Sequence, residues 1–327
     1  LDITLEQHAE KQYVPEVKDW SQVVTPIDRF IQSQLETFNQ QPSHPVDDLS
    51  FIRRLSMDAI GVPPTRKEVS EYLNWPSSER RRKAINRYIN KEEWADNWVS
   101  YWQDVLAENP AILKPTLNNT GPFRYWIRES FLDNKPLDQF IREIVLMDGS
   151  TFGGGPSGFG IATQNDVPMA DKAQILSQAF LAKNLSCARC HDAPFHDFTQ
   201  KDLFGFASLL NQKPIKLPAS SSVPLEKGGE LESQIEASLK PGDIIPPHWS
   251  LGLDNSHSKT NQRLNNGGTY ENQRERLSGI LTEENAFTIS RVFVNRLWKK
   301  YIGRGIIEPV DDWQDPNPPH PELLNWL

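Results

Sequence analysis

Apolar positions recur at helical spacing along most of the chain. Ile27, Phe30, Ile31, Leu35 and Phe38 form a first stripe, and this period predicts an amphipathic helix. Thr25-Pro26-Ile27-Asp28 marks its start with a capping hydroxyl, a proline and an acid in the first turn. Phe51, Ile52, Leu55, Ala59 and Ile60 form a second stripe, opened at Asp47-Asp48 and stopped by Gly61 and Pro63-Pro64. Thr65 with Glu68 three residues on is a capping box for a short third helix. Residues 78–90 predict a fourth helix. Residues 91–108 predict a fifth, with Trp94, Trp98, Tyr101, Trp102 and Val105 on one face, a stripe that reads as core.

The pattern continues through two helices begun near Pro122 and Pro136. Met57 and Met147 lie on helical stripes and are expected inside. Residues 149–160 hold six glycines without either phosphate-binding spacing, so they read as a loop. A helix over 171–186 follows, and Thr199 caps another bearing Leu203, Phe204, Phe206, Ala207 and Leu210. Residues 212–272 break the rhythm: they are rich in Pro, Ser, Gly and Asn, and only 229–239 has a helical pattern. Order resumes over 283–302 with Phe287, Val294, Leu297, Trp298 and Tyr301, closed by Gly303, and Pro321 opens a last helix.

The fold class is therefore all-α. We divide the chain into an extension (1–24), a multi-helix domain (25–211), a linker or long irregular excursion (212–272) and the start of a second helical domain (273–327). The last helix has little chain after it, which points to a piece of a longer protein. The second part is expected to dock on the first through Val294, Trp298 and Tyr301.

Composition narrows the class. Hydrophobic residues make up 37% and charged residues 24% of 327, a balance suited to a water-soluble core. No apolar run approaches the ~20 residues that cross a bilayer. The net charge of -8 argues against nucleic acid and acidic membranes as partners. No Ser-His-Asp or H-E-x-x-H pattern supports a hydrolase.

The chemistry is concentrated in Cys187-Ala188-Arg189-Cys190-His191, which holds both cysteines of the chain. C-x-x-C-H is the attachment signature of c-type haem, with two thiols for the thioethers and the following His for the iron. Three other readings share these residues. A redox dithiol normally sits near a βαβ pattern, and none is evident. A zinc site from Cys187, Cys190, His191 and His196 would crowd four ligands into ten residues. A disulfide across two residues would close a strained loop. One covalent haem c on Cys187 and Cys190, with His191 as iron ligand, is the expectation taken forward. It implies an exported protein whose signal peptide has been removed.

Beside this motif, three stretches resemble the planctomycete cytochrome C-like (PSCyt/PSD) proteins, which pair two domains of unknown function. The first is Ile27-Asp-Arg-Phe-Ile31 with Phe51-Ile-Arg-Arg-Leu55 and Gly61-Val-Pro-Pro64. The second is Gln178-Ala-Phe-Leu181 running into Cys187-Ala-Arg-Cys-His-Asp-Ala-Pro-Phe195 and Thr199-Gln-Lys-Asp202. The third is Val294-Asn-Arg-Leu-Trp298, Gly303-Arg-Gly305, Pro309-Val-Asp-Asp312 and His320-Pro-Glu-Leu-Leu324. The resemblance implies the amino-terminal domain of the pair and the opening of the carboxy-terminal one. It also implies an exported protein of a cytochrome-rich lineage, often found near genes for polysaccharide or sulfated-glycan use. It supplies no activity. The chain departs from the pattern in ending early in the second domain and in having only about 25 residues before the first stretch, where many members carry an additional cytochrome domain.

The second axial ligand stays open among His320, His248, His257 or none. Met169 is excluded because a regular helix would hold it about 25 Å from Cys187 at ~1.5 Å per residue. His196 reads as a neighbour or surface residue, and Asp311-Asp312 as a turn before a cation site. The leading function is electron transfer in an extracytoplasmic redox system, with a redox partner protein, another cytochrome or a dehydrogenase. A haem enzyme with an open iron position, or a structural module of a surface assembly, are the alternatives.

Overall fold

Local chemistry starts the helices where the sequence indicates. The computed structural model describes residues 13–20, 24–106, 121–149, 155–162, 167–221, 237–251, 272–313 and 319–327. Helix α1 spans Pro26–Thr37 and α2 Asp48–Ile60. Helices α3 (Arg66–Asn74), α4 (Arg80–Ile89) and α5 (Glu92–Val105) follow. The Thr25 and Thr65 hydroxyls cap α1 and α3 in reciprocal boxes with Asp28 and Glu68, and Asp47 accepts from Leu49 and Ser50. Gly61 ends α2 at φ +74, a conformation that costs glycine little.

Next come α6 (Gly121–Leu132), α7 (Leu137–Leu146), α8 (Ser157–Ala162) and α9 (Pro168–Leu176). The chain then widens into a π turn over Ser177–Leu181 and stops at Ala182, φ +51. Helix α10 (Gln200–Asn211) is followed by two-residue strands β1 (Ile215–Lys216) and β2 (Ile244–Ile245), paired antiparallel. Helices α11 (Gln273–Gly279), α12 (Ala286–Ile302) and α13 (Pro321–Trp326) complete the described elements. Among the described residues the protein is all-α apart from that strand pair.

Helix α10 is the axis of the main core. Leu203 to Leu210 are all buried, so the helix is covered on every side. It packs on α9, α11 and the strand pair. The described parts of 212–272 return to this core: Ile215, Leu217, Leu239, Ile245, Trp249 and Leu251 are buried in it. A second cluster joins α2, α3 and α4 around Ile52, Tyr72 and Tyr88. A third joins α1, α12 and α13 around Phe30, Leu323 and Leu324. Helix α12 serves two clusters. Ile289 and Phe293 enter the main core, while Val294 and Trp298 face Phe30 and α13, and Tyr301 meets Trp98 at 6.2 Å.

Four sequence expectations need correction. The glycine-rich run ends in a helix rather than a loop. A Cβ on Gly158 would stand 2.3 Å from Phe123 Cβ, so this glycine lets α8 press on α6. The helix expected over 171–186 ends at Leu181, because Arg296 claims its last carbonyls: Nε donates to Ala179 O at 3.1 Å and Nη2 to Gln178 O at 2.6 Å. Met57 is 43% exposed, whereas Met147 is buried. Pro136 is the cap of α7 rather than its first residue. Most of the helix expected over 229–239, and the run at 153–154, lie outside the described residues.

Burial of two lysines gives the core a pH signature. Burial lowers Lys172 to about 8, against help from Asp171 and with Arg274 adding to the effect, and burial lowers Lys183 to about 8 despite Asp202. Below pH 8 both states hold the proton, and folding carries the full cost of the buried ammoniums. Between 8 and the ordinary 10.5 the unfolded chain keeps protons that the folded one has released. Stability therefore rises with pH in that window, by up to about 1.4 kcal/mol per pH unit per lysine. Urea midpoints should climb between pH 8 and 10, and a Lys172→Met/Lys183→Met double variant should lose most of that climb. Equal slopes in the two proteins would contradict this reading.

Candidate functional site

The C-x-x-C-H residues sit between two core elements. Upstream is the π turn that Arg296 holds. Downstream is the first turn of α10. Ser186 is fixed by Asn184, whose Oδ1 accepts from its amide at 3.0 Å and its hydroxyl at 2.5 Å. A 3₁₀ turn then spans Cys187–Arg189 and packs on α10, with Ala188 wholly buried as its anchor. The Cys187 carbonyl accepts from the amides of both Cys190 (3.1 Å) and His191 (3.2 Å). This fold-back brings Cys187, Cys190 and His191 onto one turn.

Both thiols are free, with Cys187 exposed and Cys190 half-buried, so they are open to covalent attachment. His191 Nδ1 lies 2.8 Å from Asp192 O. A carbonyl only accepts, so Nδ1 carries a hydrogen, the tautomer whose neutral ring has its lone pair on Nε2. Metal-ligating histidines are commonly set this way, through a backbone carbonyl on the other ring nitrogen. The donor set thus fits a haem: two free thiols and an imidazole with Nδ1 engaged.

The surrounding layer is built by Asp192. Its Oδ1 accepts from the Gln200 amide at 2.7 Å and from Ser238 Oγ at 2.8 Å, joining the turn to α10 and to the segment before β2. Thr199 and Asp202 form the capping box of α10. The Ala193 amide donates to Phe198 O at 2.8 Å and closes a small loop, with Phe195 at its tip 85% exposed. Lys183 reaches under this loop, donating to Leu251 O at 2.8 Å with its ammonium 5.3 Å from the Phe198 ring.

The remaining candidates go elsewhere. His196 stacks on Phe198 and donates from Nε2 to Asp312 Oδ1 at 2.9 Å. Among the described residues no group of three or more His, Cys, Asp and Glu side chains could hold a metal ion, so the four-ligand zinc set is not assembled. Asp312 closes a turn on Pro309 and is 9% exposed, a partner for His196 rather than a cation site. His248 lies against α10, where a Cβ on Gly205 would fall 2.2 Å from its Cε1. His320 precedes α13, and burial lowers its pKa against the pull of Glu322. His257 lies outside the described residues. Met169 packs at the edge of the main core.

Sequence reasoning missed the His196–Asp312 link, which spans 116 residues and has no local signal. The Trp313 amide donates to Ala182 O at 2.8 Å beside it, so the two contacts tie the C-x-x-C-H loop to the chain's last third. A His196→Ala variant should be destabilised by about 1–3 kcal/mol, the usual cost of deleting one partner of a largely buried hydrogen bond to a charged group. Hydrogen exchange at the Trp313 amide should accelerate in step. Unchanged exchange there would show that the link does not hold the two parts together.

A helical protein with one C-x-x-C-H turn at the head of its central helix is the class that fold and site define. The chain belongs to the family described as PSCyt2, protein of unknown function (DUF1549), whose model matches residues 26–214. Residues 273–327 match PSD1, protein of unknown function (DUF1553). No curated protein and no solved structure matches the chain. No helix among the described residues is long and apolar enough to cross a membrane.

Proposed function

We propose that this protein is an extracytoplasmic electron-transfer module with one covalent haem c. The observation that carries the reading is the C-x-x-C-H turn with His191 Nδ1 engaged by Asp192 O at 2.8 Å. Cys187 and Cys190 would hold the porphyrin by two thioethers, and His191 Nε2 would ligate the iron. The group would supply a one-electron couple tuned by axial ligand and burial. The chain's own part is positional. Ala188 fixes the turn on the core, Asp192 fixes the turn to α10, and the Asp192 carbonyl orients the imidazole. Attachment of this kind takes place outside the cytoplasm, which sets the proposed location. A redox partner docking on the Ala193–Phe198 loop would cover the exposed Phe195. A link to sugar oxidation rests on the family resemblance alone.

The optical spectrum of exported protein tests the assignment. A six-coordinate, low-spin spectrum that takes up carbon monoxide slowly is the expected result, and His191→Ala should shift it while leaving the colour covalently attached. A high-spin spectrum with rapid carbon monoxide or cyanide binding would replace electron transfer with an open-site haem enzyme. Colourless exported protein would overturn both and leave a structural module.

A further inference from the structure

Lys183 stands four residues before Cys187. Its Nζ donates to Leu251 O at 2.8 Å and lies 5.3 Å from the Phe198 ring centroid. The Phe198 carbonyl in turn holds the amide of Ala193, two residues past His191. The ammonium is thus tied to both flanks of the C-x-x-C-H turn.

One carbonyl and one ring are modest cover for an ammonium with three donors. Among the described residues its electrostatic help comes through space from Asp202 on α10. The Asp202 Oδ2 is already engaged, accepting from the Thr199 amide at 2.7 Å and the Thr199 hydroxyl at 2.8 Å. The other charged and titratable groups around it are turned elsewhere or make no bond to it. His196 stacks on the same Phe198 ring and bonds Asp312. His248 turns Nδ1 to Pro246 O, and Arg296 gives its donors to Gln178 and Ala179. Asp197 on the loop and Lys201 on α10 make no hydrogen bond to Nζ. An apolar side chain in this place would cost the fold less than a buried charge so thinly compensated, and perturbed groups of this kind gather at functional sites. Burial lowers the Lys183 pKa to about 8, with Asp202 opposing, so the charge is present at neutral pH and lost in mildly alkaline solution.

We propose that Lys183 sets the reduction potential of the haem on Cys187 and Cys190 and makes that potential fall as pH rises. This rests on the electron-transfer reading above. A cation in a poorly screened interior favours the form of the site that carries the extra electron. When a redox partner delivers one electron, Lys183 Nζ draws a proton from solvent, and it releases the proton when the electron leaves. Protonation and reduction therefore assist each other to the same degree.

Midpoint potentials of the whole exported protein, read by optical redox titration between mildly acidic and alkaline pH, test it. The potential should be level on the acid side and fall through the region around pH 8, with the absorption spectrum of each redox form unchanged. Lys183→Met should hold the low, alkaline value at every pH. Lys183→Arg, which keeps the charge and does not titrate in this range, should hold the high value at every pH. Should the methionine variant misfold, the arginine variant and the unmodified protein still decide. A coloured protein whose potential does not change with pH would overturn the proposal and leave the haem reading standing. A slope kept in either variant would overturn it too, as would a spectrum that changes with pH and so reports an exchange of iron ligand. Colourless protein would overturn the haem reading itself, and this inference with it.

Discussion

Exported protein with both Cys187 and Cys190 replaced by alanine should retain no haem after denaturation. Each single replacement should leave at most one thioether and a weakened, partly extractable cofactor. The effect is close to all-or-none because these are the only two cysteines in the chain, so no other thiol can substitute. The turn itself should survive. Its anchor is Ala188, and its hydrogen bonds run through the Cys187 carbonyl, not the sulfurs. Helical circular dichroism of the double variant should therefore resemble that of the unmodified chain without cofactor. Extraction of the haem into acidified organic solvent reads the outcome, and full covalent retention in the double variant would remove the motif from the account.

The largest loss of stability is expected at Trp102. Its ring lies parallel to Phe180 at 6.0 Å and to Phe293 at 5.9 Å, and edge-on to Phe140 at 5.5 Å. Those partners come from the π turn before the motif, from α12 and from α7, so one side chain joins both family-matched stretches. Trp102→Ala should cost about 3–5 kcal/mol, the range for emptying a large aromatic site. Trp94, only partly buried, should cost clearly less when truncated. Denaturant midpoints compare the two. Equal losses would mean that burial around Trp102 does not set the energetics of this core.

Features settled within a few residues were legible in the sequence. The caps at Thr25, Thr65 and Thr199 need only a side chain and the amide three residues on; all three form, and at Thr25 and Thr199, as at Thr65, the structure adds the reciprocal bond of a capping box. The tryptophan stripe of α5 is core, since its period alone assigns it a face. The C-x-x-C-H spacing was equally plain, and the turn that carries its three residues closes on a single carbonyl. What escaped was decided by distant partners. The stop at Ala182 goes with a guanidinium that bonds Ala179 O from 117 residues away. Gly158 read as slack until Phe123 was placed against it. The strand pair is two residues long, too short for any alternation to register. His196 and Asp312 each read as surface or turn, and only tertiary structure makes them partners.

The central claim is that Cys187 and Cys190 carry a haem. Intact mass of the exported chain under denaturing conditions tests it most directly, followed by mapping of the peptide that contains Cys187 to His191. The expected result is the chain mass plus one haem, with the addition on that peptide alone. An unmodified chain with two titratable thiols would contradict it.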